Sequence, residues 1–259
     1  MKALILAGGF GTRLEQTYAQ YEGLHKDKLR EWVAGRPKGL VVIQGRPILD
    51  YVLDQVKSAG IDRREVYLQT NAVYHAAFCA WATQCGVPAD HVFNNGVVSN
   101  DTRCGTIGDL RLALDKIGYN DPVLVVASDT LVWDDHGQPY DFGVLARGYQ
   151  EDGISRIVVY PGEPERLSSH GIVQVSDDDL IVGFEEKPAR PKSNLVNASV
   201  HLYSLACLAS VRSYDGPKDR HGDLIVDLLR QSVPMKAVQA TKRLDVGTID
   251  DVLRVNINP

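Results

Sequence analysis

At 259 residues with 44% hydrophobic residues, the chain is long enough to bury an extensive core, and we expect one compact domain over residues 1–259. A formal charge of −5 at pH 7 and a pI of about 5.8 exclude the basic field that a nucleic-acid backbone requires of its partner. The four cysteines form no CxxC pair, which argues against a zinc site and a disulfide framework.

Apolar runs suited to buried strands recur along the chain, in order at residues 3–7, 66–68, 123–127 and 157–160. Between them, residues 47–59 and 106–117 carry apolar side chains at three- and four-residue spacing, which is typical of helices. This alternation predicts an α/β fold with a mixed, mostly parallel, Rossmann-like sheet flanked by helices. Ligands of such sheets bind beyond the carboxyl ends of the strands.

The first run is too short for a signal segment, and no stretch approaches a membrane-spanning length. We therefore expect a cytoplasmic protein without a membrane partner. Homo-oligomerisation is compatible with the sequence.

A glycine-rich segment, Gly8-Gly9-Phe10-Gly11, follows the first run and precedes Arg13. Glycines let the backbone approach an anion, and the arginine adds a cation. A dinucleotide-binding oxidoreductase begins in a similar way, but here the third glycine of its fingerprint is replaced, and the next strand lacks the acidic residue that would bind a ribose. The ending of a Walker phosphate loop is also absent.

In the second half, residues 171–175 and 180–184 alternate in polarity around the acidic turn 176–179. This pattern predicts a hairpin, which we interpret as a small β element covering the substrate. Near the end, Thr248 has the features of an N-cap for a last helix whose first turn is acidic.

Six short motifs occur in a fixed order along almost the whole chain: residues 6–14 (LAGGFGTRL) with Arg36-Pro37-Lys38, then Gly105-Thr106, Ser128-Asp129, Glu186-Lys187-Pro188, Asn197-Ala198 and residues 245–248 (DVGT). In these motifs the chain resembles the sugar-1-phosphate nucleotidyltransferase family, also called NDP-sugar pyrophosphorylases. The glycine segment is most similar to that of short guanylyltransferases acting on heptose or mannose 1-phosphates.

The resemblance implies an enzyme that transfers a nucleotidyl group from a nucleoside triphosphate to a hexose, heptose or cyclitol 1-phosphate, releasing pyrophosphate. It implies nucleotide contacts at Leu6, Ala7, Gly8, Gly9, Gly11, Thr12, Gly105 and Thr106. It implies sugar-phosphate contacts at Gly171, Glu186, Lys187 and Asn197, and Mg²⁺ ligands at Asp129 and Asp245. Arg13, Lys38 and Lys187 are the expected catalytic cations, because this transfer needs positive charge around the phosphorus.

Some features depart from the family pattern. Residues 15–35 are longer than the usual link. There the helical spacing of Tyr18, Tyr21, Leu24, Trp32 and Val33 predicts an inserted helix that either packs on the body, the role we favour, or folds over the ligand. No glutamine lies near Gly105, so the nucleobase stays open, with a lean to guanine.

His170 and His221 are interpreted as turn residues at the surface. Asp223, at the start of a helix, is interpreted as a capping residue, although the resemblance also implies an acidic residue near the sugar at this position. Two other functions remain as alternatives. One is a catalytically silent paralogue that binds a nucleotide sugar and regulates a partner, and the other is a cytidylyltransferase acting on a non-sugar phosphate.

Overall fold

The computed structural model describes residues 1–257, apart from the side chain of Asp245. Its strands are β1 (Lys2–Ala7), β2 (Val42–Ile43), β3 (Arg46–Pro47), β4 (Val66–Thr70), β5 (Val92–Asn94), β6 (Val123–Ala127), β7 (Thr130–Trp133), β8 (Ser155–Pro161), β9 (Gly171–Val175), β10 (Ile181–Glu186), β11 (Leu195–Tyr203), β12 (Met235–Gln239) and β13 (Lys242–Asp245). Its helices are α1 (Thr12–Gln20), α2 (Lys26–Val33), α3 (Ile48–Ser58), α4 (His75–Cys85), α5 (Thr106–Ile117), α6 (Gly143–Asp152), α7 (Leu205–Ser213), α8 (His221–Arg230) and α9 (Ile249–Ile257).

A nine-stranded sheet dominates the described residues, with the path β10-β9-β11-β6-β1-β4-β5 and with β8 and β12 added beside β11. Strands β6, β1, β4 and β5 are parallel, whereas β11 runs antiparallel to β6. The four strands and two helices predicted from apolar patterning are all present, and the mixed, mostly parallel sheet is confirmed.

The central strand β1 is buried on both faces because its side chains alternate between two cores. Ala3 and Ile5 pack into one hydrophobic cluster together with residues of α3, while Leu4 packs into the other together with residues of α5. Each helix therefore covers one face of the sheet, and this layering brings the carboxyl ends of β1, β4 and β6 to a common edge.

The segment 15–35 forms parts of two helices rather than one. Leu29 and Val33 of α2 are buried, and both α1 and α2 contact α9, as the predicted packing role requires. The predicted stripe is wrong at Leu24, whose side chain is 99% exposed. Leu24 lies in the connection between the two helices, where the helical period is interrupted.

The predicted hairpin is present as β9 and β10, and it extends the main sheet at the edge next to β11. Helix α8 packs against β10 and so covers the hairpin. Within residues 1–257, no helix has the length and apolar character needed to cross a membrane.

Candidate active site

The glycine segment forms the turn between β1 and α1, at the carboxyl edge of the sheet. Gly11 has a φ of 66° immediately before the first turn of α1, a conformation that glycine adopts without strain. Two residues beyond β4 bind the segment: Asn71 Nδ2 donates to the Gly8 carbonyl at 3.1 Å, and the Tyr74 hydroxyl donates to the Phe10 carbonyl at 3.3 Å. The segment is thus supported by the neighbouring strand. Arg13 is exposed in the first turn of α1.

Lys38 and Asp129 form an ion pair beside this turn, with 2.5 Å between Lys38 Nζ and Asp129 Oδ2. A Cβ atom added to Gly39 would lie 3.0 Å from Ser128 Cβ, so only glycine lets the lysine turn pack this closely against the end of β6. A Cβ added to Gly11 would lie 3.9 Å from Lys38 Cβ. The structure therefore brings the glycine segment, the predicted cation and one predicted carboxylate together.

Asp129 is followed by strand β7, so it does not cap a helix. Strand β13 pairs antiparallel with β7, and Asp245 is opposite Thr130, the residue after Asp129. The main chain of Asp245, the second predicted Mg²⁺ ligand, thus runs beside the residue that follows Asp129, the first predicted ligand.

The Asp245 side chain lies outside the described residues, and the described side chains form no cluster of three or more His, Cys, Asp or Glu residues suited to a metal. Mg²⁺ uses one or two carboxylates together with substrate phosphates, and the described Asp129 carboxylate is an oxygen donor of the kind that ion prefers.

A cavity of about 220 Å³ opens next to the glycine segment. Four of the predicted nucleotide contacts line it: Leu6, Gly8, Gly9 and Thr106. Its other lining residues are Asp109, Val125, Ala127, Ser199, His201 and His221. Ala7, Gly11, Thr12 and Gly105 lie at the same edge of the sheet without lining the cavity.

Gly105 has a structural reason for its identity. It precedes α5 with a φ of 76°, and an added Cβ would lie 2.7 Å from Asp219 Cα and closer still to the Lys218 carbonyl. Its role in the described structure is therefore the close approach of two backbone segments.

The predicted sugar-phosphate residues converge from three elements. Gly171 and Glu186 are opposite each other in the β9–β10 pair. A Cβ added to Gly222 of α8 would lie 2.5 Å from Glu186 Oε2, so the helix abuts this carboxylate. Burial raises the pKa of Glu186, while the nearby cation of Lys187 opposes that shift. Lys187 itself is exposed, and its N–H donates to the His170 carbonyl at 3.0 Å.

Asn197 lies where β11 bulges away from β8. The register of the two strands shifts between Asn197 and His201, and Ser199 in this segment has a φ of 62°. Asn197 Oδ1 accepts from the Ser199 N–H at 2.9 Å and lies 2.9 Å from His201 Nε2. The predicted sugar contact is therefore linked to the cavity through His201.

Two histidines in the cavity were missed by the sequence analysis. His221 was interpreted as a surface turn residue, but it lines the cavity at the start of α8 and its Nε2 is hydrogen bonded to the Tyr203 hydroxyl. Burial lowers the pKa of His221 to about 4 and holds that of His201 well below its ordinary value. The polar residues at 197, 199 and 201, alternating on an otherwise apolar strand, were a signal for His201. Asp223 lies in the first turn of α8, as predicted.

Known proteins share the sequence pattern and the fold of this chain over most of its length. A family model described as Nucleotidyl transferase matches residues 27–258. The chain belongs to this family. It is 26% identical over 261 residues to the glucose-1-phosphate thymidylyltransferase of Streptomyces griseus, covering 99% of this chain and 65% of that family member. It is 28% identical over 212 residues to the mannose-1-phosphate guanylyltransferase catalytic subunit beta of Drosophila pseudoobscura pseudoobscura, covering 81% and 50% respectively.

Both coverages show that the chain spans less than two thirds of the length of these curated relatives. Among solved structures, the UDP-glucose pyrophosphorylase from Acinetobacter baumanii has the same fold, with a TM-score of 0.70 at 20% identity over 99% of this chain and 92% of that chain.

Proposed function

We propose that this chain is a catalytic domain that transfers a nucleotidyl group from a nucleoside triphosphate to a sugar 1-phosphate, giving an NDP-sugar and pyrophosphate. The observation that carries the proposal is the Lys38–Asp129 ion pair, set between the glycine turn and strand β13. The family membership supports it, since members of this family are named for guanylyl and thymidylyl transfer to sugar phosphates.

In this reaction an oxygen of the sugar phosphate attacks the α-phosphorus of the triphosphate in line. A new phosphorus–oxygen bond forms as the bond to the β-phosphate breaks, and the electron pair leaves with pyrophosphate. Arg13 and Lys38 would stabilise the negative charge on the transferring and departing oxygens. A phosphate monoester has a second pKa of about 6, so the attacking group is already ionised near neutral pH and no general base is required.

Asp129 and Asp245 would hold a divalent cation, for which we propose Mg²⁺. When bound, such an ion neutralises phosphate charge and aligns the attacking and leaving oxygens. Without it, the carboxylate of Asp129 is neutralised by Lys38.

On the acceptor side, Lys187 would neutralise the sugar phosphate, while Glu186, Gly171 and Asn197 would contact the sugar. We further propose that residues 1–259 act as one catalytic domain, in which the inserted residues 15–35 contribute to α1 and α2 and buttress α9. For the nucleobase, the lack of a glutamine near Gly105 supports a lean to guanine over uracil or thymine.

The test is a pyrophosphate-release assay with Mg²⁺, in which five triphosphates (GTP, CTP, UTP, dTTP and ATP) are screened against hexose, heptose and cyclitol 1-phosphates. We expect release that requires one triphosphate together with one sugar phosphate. Asp129→Asn should lower turnover at least about a hundredfold, because the remaining amide cannot carry the charge that a divalent ion needs.

The matched control is Asp135→Asn, which changes a carboxylate that is 79% exposed in the turn after β7. Turnover of Asp129→Asn within threefold of the wild type would contradict the metal assignment. Nucleotide binding without turnover across the whole panel would instead support a silent regulatory role.

A further inference from the structure

The cavity beside the glycine turn has the chemistry of a site for an uncharged group. Among its lining residues in the described structure there is no lysine or arginine, and the carboxylate of Asp109, which also lines it, accepts a hydrogen bond from Asn95 Nδ2. Its floor is formed by Leu6, Val125 and Ala127 from two parallel strands. A phosphate would find no cation there, whereas a sugar ring can place its carbon face on the apolar floor and its hydroxyls against polar walls. His201 and His221 form one of those walls.

The hydrogen-bond network fixes the tautomer of His201. Asn197 Oδ1 accepts from the Ser199 N–H, which identifies it as the oxygen of the amide, so His201 Nε2 must be the donor in their 2.9 Å contact. Burial keeps the His201 ring neutral, because it holds the pKa far below its ordinary value. His201 Nδ1 is therefore an acceptor, and this buried atom has no hydrogen-bond partner among the described residues. An unsatisfied buried acceptor is costly unless a ligand supplies the missing donor.

His221 presents the complementary group. Tyr203 is fully buried, and within residues 1–257 its hydroxyl contacts no acceptor except His221 Nε2, so the phenol donates to that nitrogen. His221 Nδ1 then carries the hydrogen. The centres of the two imidazole rings are 4.3 Å apart, which places an acceptor and a donor on adjacent rings. A hydroxyl group both donates and accepts, and it matches such a pair.

Both histidines are also joined to the residues that the sequence assigned to the sugar phosphate. His201 contacts Asn197 directly, and His221 is followed by Gly222, which abuts Glu186. We propose that His201 and His221 form a specificity pair that binds one hydroxyl of the sugar moiety. This inference rests on the proposed function, which it deepens by naming residues that select among sugars.

Calorimetric titration with two matched classes of probe separates the contribution of the sugar to the binding affinity from that of the nucleotide. The probes are ADP-glucose, UDP-glucose, dTDP-glucose and GDP-mannose, each compared with the corresponding nucleoside diphosphate in the presence of Mg²⁺. For the nucleotide sugar that the wild type binds best, His201→Phe should weaken binding at least about tenfold, while the diphosphate affinity should stay within threefold. His201→Asn, whose amide can supply an acceptor near the position of Nδ1, should recover part of the loss.

The matched control is His91→Asn. His91 also makes a hydrogen bond from its ring, to the Val66 carbonyl, but it lies at the amino end of β4, away from the cavity. Its replacement should leave both affinities unchanged. Circular dichroism checks the fold of each variant, and if His201→Phe does not fold, His221→Phe replaces it with the same expected split.

Monodeoxy forms of the best-bound sugar then identify the hydroxyl. One monodeoxy form should bind the wild type about tenfold more weakly than the complete nucleotide sugar does. His201→Phe should bind that form and the complete nucleotide sugar equally well. The inference would be overturned if His201→Phe lost equal affinity for the nucleotide sugar and the diphosphate, or lost none for either. It would also be overturned if the wild type bound no nucleotide sugar more tightly than the corresponding diphosphate. Failure of the proposed function alone has a different signature, in which sugar selectivity through His201 persists without pyrophosphate release.

Discussion

Two adjacent glycines at the end of β1 have different reasons for their small size. Gly8 lies against Asp109, and an added Cβ would be 2.9 Å from Asp109 Cγ and closer still to Oδ2. Asp109 cannot easily move, because Asn95 Nδ2 donates to its Oδ1 at 2.7 Å and its side chain is buried. Gly9 has no atom within 4 Å of an added Cβ. Gly8 is thus required for the packing of α5 against the turn, whereas Gly9 faces open space.

Replacing Gly8 by alanine should therefore destabilise the protein, and the same change at Gly9 should not. We expect Gly8→Ala to lower the free energy of unfolding by about 1–3 kcal/mol, since the new methyl group overlaps a fixed carboxylate. Gly9→Ala should change it by less than about 0.5 kcal/mol. Urea unfolding followed by circular dichroism measures both, and equal stabilities of the two variants would show that Asp109 yields to the methyl group.

At this scale the sequence predicted the residues that belong to local motifs. Leu6, Gly8, Gly9 and Thr106 do line the cavity. The histidine pair was missed because it forms between β11 and α8, and the local sequence around His221 resembles an ordinary turn. A contact made only in the tertiary fold leaves no spacing pattern to detect.

At the scale of elements, α9 connects the carboxyl-terminal strand to the inserted helices. Its N-terminus is capped reciprocally: the Thr248 hydroxyl accepts from the Asp251 N–H at 3.4 Å, and Asp251 Oδ2 accepts from the Thr248 N–H at 3.0 Å. The N–H of Ile249 also donates to Thr17 Oγ1 of α1 at 3.3 Å. The N-cap predicted at Thr248 is thus confirmed, and the contact with Thr17 positions α9 against the helix that follows the glycine turn.

Loss of this cap should be measurable as a stability change. Thr248→Ala should lower the free energy of unfolding by about 1 kcal/mol, because the Asp251 N–H in the first turn of α9 loses its acceptor. Thr248→Ser keeps the hydroxyl and should stay within about 0.5 kcal/mol of the wild type. If the serine variant lost as much as the alanine variant in urea unfolding, the threonine methyl rather than the cap would be responsible.

The types of the main elements were predictable because their apolar periods are long and regular. The division of residues 15–35 into α1 and α2 was not, since one helical period extends across Leu24 in the sequence although the chain turns there. The pairing of β13 with β7 was also beyond the sequence, because a short two-stranded sheet has little patterning of its own.

At the scale of the whole molecule, the buried histidines make stability depend on pH. His201 and His221 remain neutral in the folded state because burial lowers the pKa of each, that of His221 to about 4. In the unfolded chain their pKa returns to about 6.5, so the unfolded state binds protons first as the pH falls. Their contribution is present above about pH 6.5 and is lost as the pH falls toward 4.

We expect the free energy of unfolding to fall by about 2–4 kcal/mol between pH 7 and pH 5, which is about 2 kcal/mol for each histidine that stays neutral in the folded state. Asp152, whose pKa is held below its ordinary value by hydrogen bonding to Arg156, loses its contribution only below about pH 4. Urea titrations at the two pH values measure the change. In His221→Gln the decrease in the free energy of unfolding between pH 7 and pH 5 should be clearly smaller than in the wild type. If this decrease were unaltered, other groups would be responsible for the acid sensitivity.

The pairing of β7 with β13 has a consequence for biosynthesis. Asp129 and Asp245 are far apart in the chain, and their backbones meet only when the late strand joins the earlier one. A chain emerging from the ribosome can order β1, β4 and β6 and close the glycine turn before β13 has been made. The proposed metal site would therefore be completed only after β13 has docked, and a chain that has not yet been synthesised beyond β7 would lack one of the two proposed ligands.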